Sequence, residues 1–480
     1  MERIENMKLF PVWREIGVDL DTPVSAFLKL QTVGAKFLLE SVEKGEKLGR
    51  YSFIGLNPSS TLIINKKKMI LDGQEISFQR QNFLQKVRQI LFSCKVKSSQ
   101  ELPPFLGGWV GYLSYDLVRH LEILPYHLAS ELDLPEGILY LVKEILVFDH
   151  LKHRAKIIAL KGSNEEKQTT LNRIERIVRA IKAPLTRKKE PQQKFQLKKP
   201  RPNFKEREFE KAVEKAKEYI LEGDILQVVL SQRFSGKTPA SPFQTYRKLR
   251  MINPSPYMFC LDFDSFQLVG SSPEALVRLT NTRASLHPIA GTRPRGRNPR
   301  EDSRLAEELF GSEKEKAEHV MLVDLARNDL GKVCVPRTIR IEQKMNLEKY
   351  SHVMHLVSEV RGRLDPRFDA LDLFAAAFPA GTVTGAPKIR AMEIIEELER
   401  TRRGPYAGAV GYFGLDGNMD MCIAIRMIIH QKGKYYLQAG AGIVADSIPS
   451  MEYQETLSKM RGLYQAVKMA AEEEHDPADR

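Results

Sequence analysis

The feature that most constrains the fold of this chain is a run of 20 residues at 312–331, SEKEKAEHVMLVDLARNDLG. Ser312, followed three residues later by Glu315, predicts a capping box at a helix N-terminus, and Gly331 predicts a left-handed helix end. The centre is apolar around most of its circumference, which predicts a helix inside the core. Glu315 and Glu318 nevertheless share one face, so two carboxylates lie beside a segment predicted to be buried.

A second helix, predicted after Pro449, carries a matching pair of carboxylates, Glu452 and Glu455. A buried carboxylate is costly unless it is paired or binds a metal. Two Glu-x-x-Glu helices that face each other would place four carboxylates around one hard cation such as Mg²⁺, which prefers oxygen ligands. The alternative is that each pair lies on a solvated helix face, and the spacing alone leaves both interpretations open.

The composition predicts a large soluble protein. A chain of 480 residues with 42% apolar content can bury a substantial core, in one large domain or two closely associated ones. The four cysteines are far apart in the sequence, which predicts neither a disulfide framework nor a zinc site and fits a reducing compartment. The sequence has no signal-peptide pattern and no apolar run long enough to cross a membrane, so we expect a cytoplasmic protein.

Most of the formal net charge of +13 is concentrated in one segment. Residues 161–205 contain fourteen Lys or Arg and four Asp or Glu, a local net charge of +10. Prolines and few apolar side chains predict that residues 161–204 form a basic linker between an N-terminal part, 1–160, and a second part, 205–470. Because only two aromatic residues accompany these charges, we do not expect nucleic-acid binding.

Three polar side chains lie inside apolar strand patterns of the second part: Gln227, His355 and Arg426. A buried glutamine must find hydrogen-bond partners, in the protein or in a ligand. A buried guanidinium needs a fixed anion. From the residues alone, His355 could be an ordinary core histidine and Arg426 could form a structural salt bridge. The glycines of the run 440–442 allow backbone amides to approach a ligand closely.

Taken together, eleven short stretches resemble the chorismate-utilising enzymes, and among them the component I subunits of anthranilate synthases. They are LLES, NPSPYMF, GSSPE, PIAGTRPRG, AEHVMLVDLARNDLG, HVMHLVSEV, FPAGTVTGAPK, RGPYAGAVGYF, CIAIR, QAGAGIVADS and EYQET. The resemblance implies an α/β fold of the α+β type, in which two interleaved lobes of mostly antiparallel sheets are flanked by helices. It also implies a chorismate-binding catalytic domain at 205–470 and a regulatory amino-acid site in the lobe at 1–160.

The resemblance implies a Mg²⁺-dependent conversion of chorismate and ammonia to anthranilate and pyruvate, in tryptophan biosynthesis. By this likeness, Glu318 and Glu455 ligate the metal, while Glu315 and Glu452 act through water. Magnesium would hold the ring carboxylate and stabilise charge that shifts through the ring as the 4-hydroxyl leaves.

The same likeness implies catalytic roles for Gln227 and Thr382 and a proton-transfer role for His355, whose ordinary pKa of about 6.5 suits an acid or a base. It leaves open whether His355 acts as acid, base or both. The residues that it implies for chorismate binding are Gly291, Thr292, Tyr406, Arg426, Gly440, Ala441 and Gly442.

Two positions separate this chain from related enzymes. Relatives that make aminodeoxychorismate, the folate precursor, carry a lysine where this chain has Ala290, and that lysine can attack the ring. Relatives that make isochorismate or salicylate carry a lysine that activates water where this chain has Gln227. Ammonia is therefore the expected nucleophile and anthranilate the expected product, with aminodeoxychorismate synthase as the alternative.

Two further expectations concern partners. The chain lacks the Gly-x-Cys-x-Gly nucleophile of a glutamine amidotransferase, so ammonia from glutamine would require a separate subunit. A non-catalytic regulator that senses an amino acid or binds RNA is a further alternative, but it would not need the full set of acid, base and metal positions. The resemblance implies feedback inhibition by tryptophan at a site formed by Glu40, Ser41, Pro256, Tyr257 and Met258.

Overall fold

The structure of the protein, a computed structural model, describes residues 7–41, 49–96, 101–185, 197–349 and 353–473. These residues form ten α-helices and 25 β-strands. The helices are α1 (Pro23–Gln31), α2 (Phe83–Leu91), α3 (Lys167–Lys182), α4 (Glu206–Leu221), α5 (Pro242–Ile252), α6 (Pro299–Gly311), α7 (Glu313–Gly331), α8 (Ala370–Ala377), α9 (Lys388–Leu398) and α10 (Pro449–Glu473).

The strands of the first part are β1 (Met7–Gly17), β2 (Ala35–Glu40), β3 (Tyr51–Leu56), β4 (Ser60–Ile64), β5 (Lys68–Leu71), β6 (Gln74–Ser77), β7 (Cys94–Val96), β8 (Gly108–Leu113), β9 (Gly137–Val142), β10 (Glu144–Asp149) and β11 (Arg154–Gly162). Those of the second part are β12 (Arg201–Pro202), β13 (Gln227–Lys237), β14 (Tyr257–Asp262), β15 (Gln267–Ser272), β16 (Ala275–Thr280), β17 (Arg283–Leu286), β18 (Ile289–Pro294), β19 (Arg340–Lys349), β20 (Val353–Arg363), β21 (Gly385–Ala386), β22 (Ala409–Gly414), β23 (Met419–Ile423), β24 (Met427–Gln431) and β25 (Lys434–Ile443).

The strands make two large sheets in which, among the described residues, every named pair is antiparallel except β1 with β7. The first sheet has the order β12-β13-β25-β24-β15-β14-β2-β3-β10-β11-β1-β7, with β21 paired to β13. The second has the order β18-β20-β17-β16-β23-β22-β8-β9-β4-β5-β6, with β19 paired to β20. The predicted fold class, two interleaved and mostly antiparallel sheets flanked by helices, is confirmed.

Each sheet contains strands from both parts of the chain. In the first sheet β14 pairs with β2, so that Met258 lies opposite Glu40. In the second sheet β22 pairs with β8, so that Ala409 lies opposite Leu113. The boundary expected near residue 160 therefore separates two stretches of sequence but not two bodies in space.

The main core lies between the two sheets, because alternate side chains of each strand point to opposite faces. Phe53 of β3 and Tyr412 of β22 meet across this layer, with ring centroids 6.2 Å apart in an edge-to-face arrangement. On β2, Phe37 points into the same layer, whereas Leu38 points to the opposite face. Helices α1, α3, α5 and α10 cover that opposite face of the first sheet.

The segment expected to be a linker, 161–204, is partly folded. Its residues 167–182 form α3, whose Ile174 and Ile177 are buried against the first sheet. Residues 186–196 of that segment lie outside the described residues. In the part of the chain that the structure describes, no helix combines the length and apolar content needed to cross a bilayer.

Helix α7 confirms the predicted bounds but corrects three details. The Ser312 hydroxyl accepts a hydrogen bond from the Glu315 amide at 3.3 Å, whereas the Glu315 carboxylate pairs with Arg293 at 3.2 Å instead of completing a capping box. Gly331 is the last helical residue and is not left-handed. Val320 is 45% exposed, so the prediction of a helix inside the core is wrong. The helix lies at the surface and buries one face.

Candidate active site

Helix α10 meets strand β25 through Lys459. The Lys459 ammonium donates to the Gly440 carbonyl at 2.9 Å and forms an ion pair with Glu455 at 2.5 Å. The backbone carbonyl of Lys459 accepts a hydrogen bond from the Arg426 guanidinium at 3.0 Å. Three predicted site residues, Glu455, Arg426 and Gly440, are thus held around one lysine. Sequence reasoning missed this lysine, although it lies one helical turn after Glu455.

Helix α7 meets the neighbouring strand β13 through Gln227. This side chain is 4% exposed, and its amide nitrogen lies 3.5 Å from a carboxylate oxygen of Glu318. A Cβ placed on Gly442 would lie 2.7 Å from the same amide nitrogen, so a side chain at this position would displace the Gln227 amide. The Oε1 atom of Gln227 is buried and has no hydrogen-bond partner among the described residues. A buried carbonyl oxygen of this kind requires a donor, which a ligand can supply.

The two carboxylate-bearing helices therefore approach one short segment of β25. Gly440, beside Lys459 and Glu455, and Gly442, beside Gln227 and Glu318, are two residues apart, which is about 7 Å along a strand. The hydroxyl of Tyr406 lies 3.0 Å from the position of a Cβ on Gly440. A side chain at Gly440 would therefore crowd Tyr406, and one at Gly442 would crowd Gln227.

The four expected metal ligands do not form one cluster. Among the described residues, no group of three or more Asp, Glu, His or Cys side chains lies close enough to hold a metal ion. The Glu315 carboxylate pairs with Arg293, and Glu455 pairs with Lys459. Magnesium is commonly held by one or two carboxylates together with the substrate and water. The donor set at β25, Glu318 from α7 and Glu455 from α10, fits this second kind of site.

His355 lies next to the glycine turn of β18. Its Nδ1 is 3.2 Å from the Gly291 carbonyl oxygen, and its backbone pairs with that of Thr292. Gly291 is left-handed with φ 66°, and a Cβ there would lie 2.7 Å from Leu309. The glycine is therefore required both by its conformation and by close packing.

Burial lowers the pKa of two residues of the site, His355 and Arg426. Burial lowers the pKa of His355 below its ordinary value, against the opposing hydrogen bond to Gly291, and the nearby Arg426 charge lowers it further. His355 is therefore neutral at pH 7. Burial also lowers the pKa of Arg426, although the neighbouring Tyr406 and Glu455 oppose this shift. Arg426 has a left-handed φ of 51°, an uncommon conformation for arginine that is typical of functional sites.

A small cavity of about 40 Å³ lies along α7. Leu322 and Leu325, which line it, share a helix face with Glu318. Thr382 and Glu274 form part of its polar wall. Burial raises the pKa of Glu274 from 4.5 to about 8, against the opposing effect of the Thr382 hydroxyl. Glu274 is therefore a protonated carboxylic acid at neutral pH. The motif GSSPE contains it, but the sequence does not reveal its burial.

Replacing Glu274 by Gln should remove a pH-dependent loss of stability. The carboxyl has a higher pKa when folded, about 8, than the ordinary 4.5, so ionisation opposes folding increasingly as pH rises between these values. We expect the melting temperature of the variant, relative to wild type, to be higher at pH 8 than at pH 5. If the melting temperatures of the variant and the wild type differed by the same amount at pH 5 and at pH 8, the raised pKa of Glu274 would be contradicted.

A second, larger cavity of about 360 Å³ lies at the junction of β2, β14, β22 and β23. All five residues expected to bind an effector line it: Glu40, Ser41, Pro256, Tyr257 and Met258. Residues 42–48, which follow Ser41, lie outside the described residues. The five residues come from both parts of the chain and meet because β14 pairs with β2.

Two details of this cavity were not predictable from the sequence. The Glu40 carboxylate accepts hydrogen bonds from Tyr246 and, at 3.1 Å, from Arg250 on α5, so it is already paired. Inside the cavity wall, the Tyr257 hydroxyl donates to Asp420 at 3.0 Å, and Arg278 pairs with the same carboxylate at 2.9 Å. These contacts give the cavity a polar wall.

Comparison with known proteins agrees with this architecture. The family model described as chorismate binding enzyme matches residues 34–465. The chain is 46% identical to the anthranilate synthase component 1 of Aquifex aeolicus, over 98% of this chain and 97% of that protein. It is 45% identical to the protein of the same name from Acetivibrio thermocellus, over 98% of this chain and 97% of that protein.

Solved structures show the same similarity. The crystal structure of anthranilate synthase component I from Streptococcus pneumoniae has a TM-score of 0.78 and 37% identity, covering 88% of this chain and 93% of that one. The menaquinone-specific isochorismate synthase of Escherichia coli has a TM-score of 0.69 over 96% of this chain and 95% of its own, but only 20% identity, and so shares the fold alone. By the extent of these matches, the chain belongs to the chorismate binding enzyme family and, within it, to the anthranilate synthase component 1 proteins.

Proposed function

We propose that this protein converts chorismate and ammonia to anthranilate and pyruvate in a Mg²⁺-dependent reaction. The observation that carries the proposal is Gln227, a neutral amide whose buried Oε1 has no partner among the described residues. Such an oxygen can accept a hydrogen bond from ammonia, whereas it cannot activate water as a lysine does. Ala290, which is 5% exposed, offers no nucleophile of its own, and this disfavours the alternative of aminodeoxychorismate synthase.

The substrate is a dianion, and the site supplies matching groups. Arg426 and the backbone amides of 440–442 bind its carboxylates, together with Tyr406, Gly291 and Thr292. Glu318 and Glu455 are the residues that would hold Mg²⁺, with Glu452 and Glu315 in supporting positions. Bound there, the ion would supply electrostatic stabilisation of the ring carboxylate and of the charge that shifts through the ring.

Two groups with shifted pKa values divide the proton transfers. Ammonia, held by Gln227, adds to the ring while the protonated Glu274, supported by Thr382, gives its proton to the departing 4-hydroxyl, which leaves as water. The extra proton of the new ammonium group returns to the Glu274 carboxylate. His355 is neutral and accepts the proton from the carbon that carries the new amino group. As the bond between the ring and the enolpyruvyl oxygen breaks, the protonated His355 gives this proton to the enolpyruvyl methylene carbon, so that pyruvate leaves and the ring becomes aromatic as anthranilate.

The ammonia is proposed to come from glutamine through a separate amidotransferase subunit. All four cysteines of this chain are buried, and none lies in an amidotransferase motif. The relatives are named component 1, which supports a second component for this chain as well. Four unpaired cysteines also support a cytoplasmic location, where thiols stay reduced.

The cavity of about 360 Å³ is proposed as the site of feedback inhibition by tryptophan. Ser41, Pro256 and Met258 line it together with the hydrogen-bonded Tyr257. Glu40 would act by fixing the end of β2, because Arg250 and Tyr246 already hold its carboxylate. Preferential binding of tryptophan to an inactive arrangement would produce the inhibition.

Replacing Ser41 by Phe should relieve inhibition by tryptophan while turnover is retained, because the larger side chain occupies the cavity. The measurement is the tryptophan concentration that halves activity, which should rise at least tenfold. Ser163→Phe, on an exposed surface, is the matched control and should leave inhibition unchanged. Equal inhibition of the Ser41 variant and the wild type would refute the effector assignment.

The proposed function is tested by incubating the purified chain with chorismate, Mg²⁺ and an ammonium salt, and by following anthranilate fluorescence. We expect fluorescence that requires all three components. A product without this fluorescence would point to aminodeoxychorismate, and no turnover at all would point to a non-catalytic regulator.

A further inference from the structure

One buried arginine outside the substrate site joins three segments that carry site residues. Arg403 is 1% exposed and Glu399, its partner, is 5% exposed. The guanidinium donates to the Glu399 carboxylate through Nη2 at 2.6 Å and through Nε at 3.1 Å. Replacing a buried ion pair of this kind by apolar residues is often neutral or stabilising, so stability alone does not explain the pair.

The other contacts of this pair lead to the strands and turns of the site. Arg403 Nη1 donates to the Val383 carbonyl at 2.6 Å, and Nη2 donates to the Val229 carbonyl at 2.6 Å. The Glu399 carboxylate accepts hydrogen bonds from the amide and the hydroxyl of Ser231, both at 2.8 Å. The planar guanidinium of Arg403 can donate to Glu399, Val383 and Val229 at the same time. A lysine ammonium in its place could not donate in all of these directions with the same geometry.

The segments that accept hydrogen bonds from Arg403 through Val383 and Val229 each carry a proposed site residue within a few positions. Val383 directly follows Thr382, and Val229 lies two residues after Gln227 on β13. Tyr406 lies three residues after Arg403, and its ring centroid is 5.9 Å from the guanidinium carbon.

We propose that Arg403, anchored by Glu399, is a positioning residue for the reaction. It fixes the relative placement of Gln227, Thr382 and Tyr406, and it does not contact the substrate itself. This inference rests on the proposed function only in taking these three residues as parts of the substrate site. Loss of the Arg403 guanidinium should therefore increase the mobility of all three residues together.

The test compares Arg403→Lys with Arg173→Lys. Arg173 is the matched control because it also forms an ion pair, with Glu165 at 2.7 Å, and bonds a backbone carbonyl, that of Leu160, at 3.1 Å. Those contacts join no segment that carries a site residue. We expect at least a tenfold loss of kcat for the Arg403 variant and less than a twofold change for the control. Glu399→Gln, which keeps the acceptor but removes its charge, should show a smaller loss than Arg403→Lys.

A second readout does not depend on turnover. Amide hydrogen exchange at 381–385 and 404–408 should accelerate at least tenfold in Arg403→Lys and remain unchanged in the control. Full activity with unchanged exchange would overturn the proposal, as would a double variant Arg403→Met, Glu399→Met that regains wild-type kcat. If the wild type itself made no anthranilate, the exchange measurement would still decide the positioning role, so the two failures are distinguishable.

Discussion

Replacing Glu455 by Gln is expected to lower kcat/KM for chorismate by about 1000-fold or more while leaving the fold intact. The carboxylate lies at the surface of α10, where it pairs with Lys459 at 2.5 Å, so its loss creates no buried cavity. A neutral amide is a weaker ligand for a hard cation, and electrostatic stabilisation by such an ion contributes several kcal/mol to this kind of step. The measurement is the Mg²⁺ dependence of anthranilate formation.

The chain offers a matched control on the same helix. Glu472 also pairs with a lysine one helical turn away, Lys468, at 3.7 Å. Glu472→Gln should leave both kcat/KM and the Mg²⁺ requirement unchanged. If Glu455→Gln kept full activity, the metal assignment would be wrong, and a melting temperature far below that of the control would show a structural role instead.

Replacing Arg426 by Met is expected to raise KM for chorismate by about 10-fold to 100-fold, because a charge-assisted hydrogen bond contributes about 1.5–3 kcal/mol. Arg426→Lys should recover only part of this loss, since lysine keeps the charge but cannot bind a carboxylate through two parallel hydrogen bonds. Steady-state kinetics with ammonium as the nitrogen source measure both effects.

Arg337 is the control for the unusual backbone of Arg426. It also has a left-handed conformation, with φ 64°, but it is exposed and lies before β19. Arg337→Met should leave KM unchanged, which separates the effect of the guanidinium in the site from that of the backbone conformation. An unchanged KM for Arg426→Met would remove this residue from the substrate site.

Local patterns predicted many of the elements. The stretch after Pro449 predicted α10. The capping hydroxyl of Ser312 likewise predicted where α7 begins. These features depend on neighbouring residues only, so the sequence reports them directly.

The parts that escaped prediction depend on contacts between distant residues. The exposure of Val320 could not be read from its apolar neighbours, because only the packing of α7 decides which face is covered. The pairing of Glu315 with Arg293, which replaced the expected capping box, joins two elements of different type. The protonated state of Glu274 depends on its burial, which no local motif reveals.

The site itself was predicted by family likeness rather than by spacing. A Glu-x-x-Glu pattern does not show which of its two carboxylates faces a partner helix. In the structure the four expected metal ligands do not form one cluster. Glu318 lies beside Gln227, while Glu455 lies beside Lys459. Only the pairing of β13 with β25 brings the two neighbourhoods together.

The central claim is that α7 and α10 hold a single Mg²⁺ against the substrate at the glycines of β25. The most direct measurement is a crystal structure of the full chain with Mg²⁺ and a chorismate-like product. We predict one ion bound at about 2.0–2.1 Å to an oxygen of Glu318 and to an oxygen of Glu455. An ion bound elsewhere, with the product still between the two helices, would contradict the account.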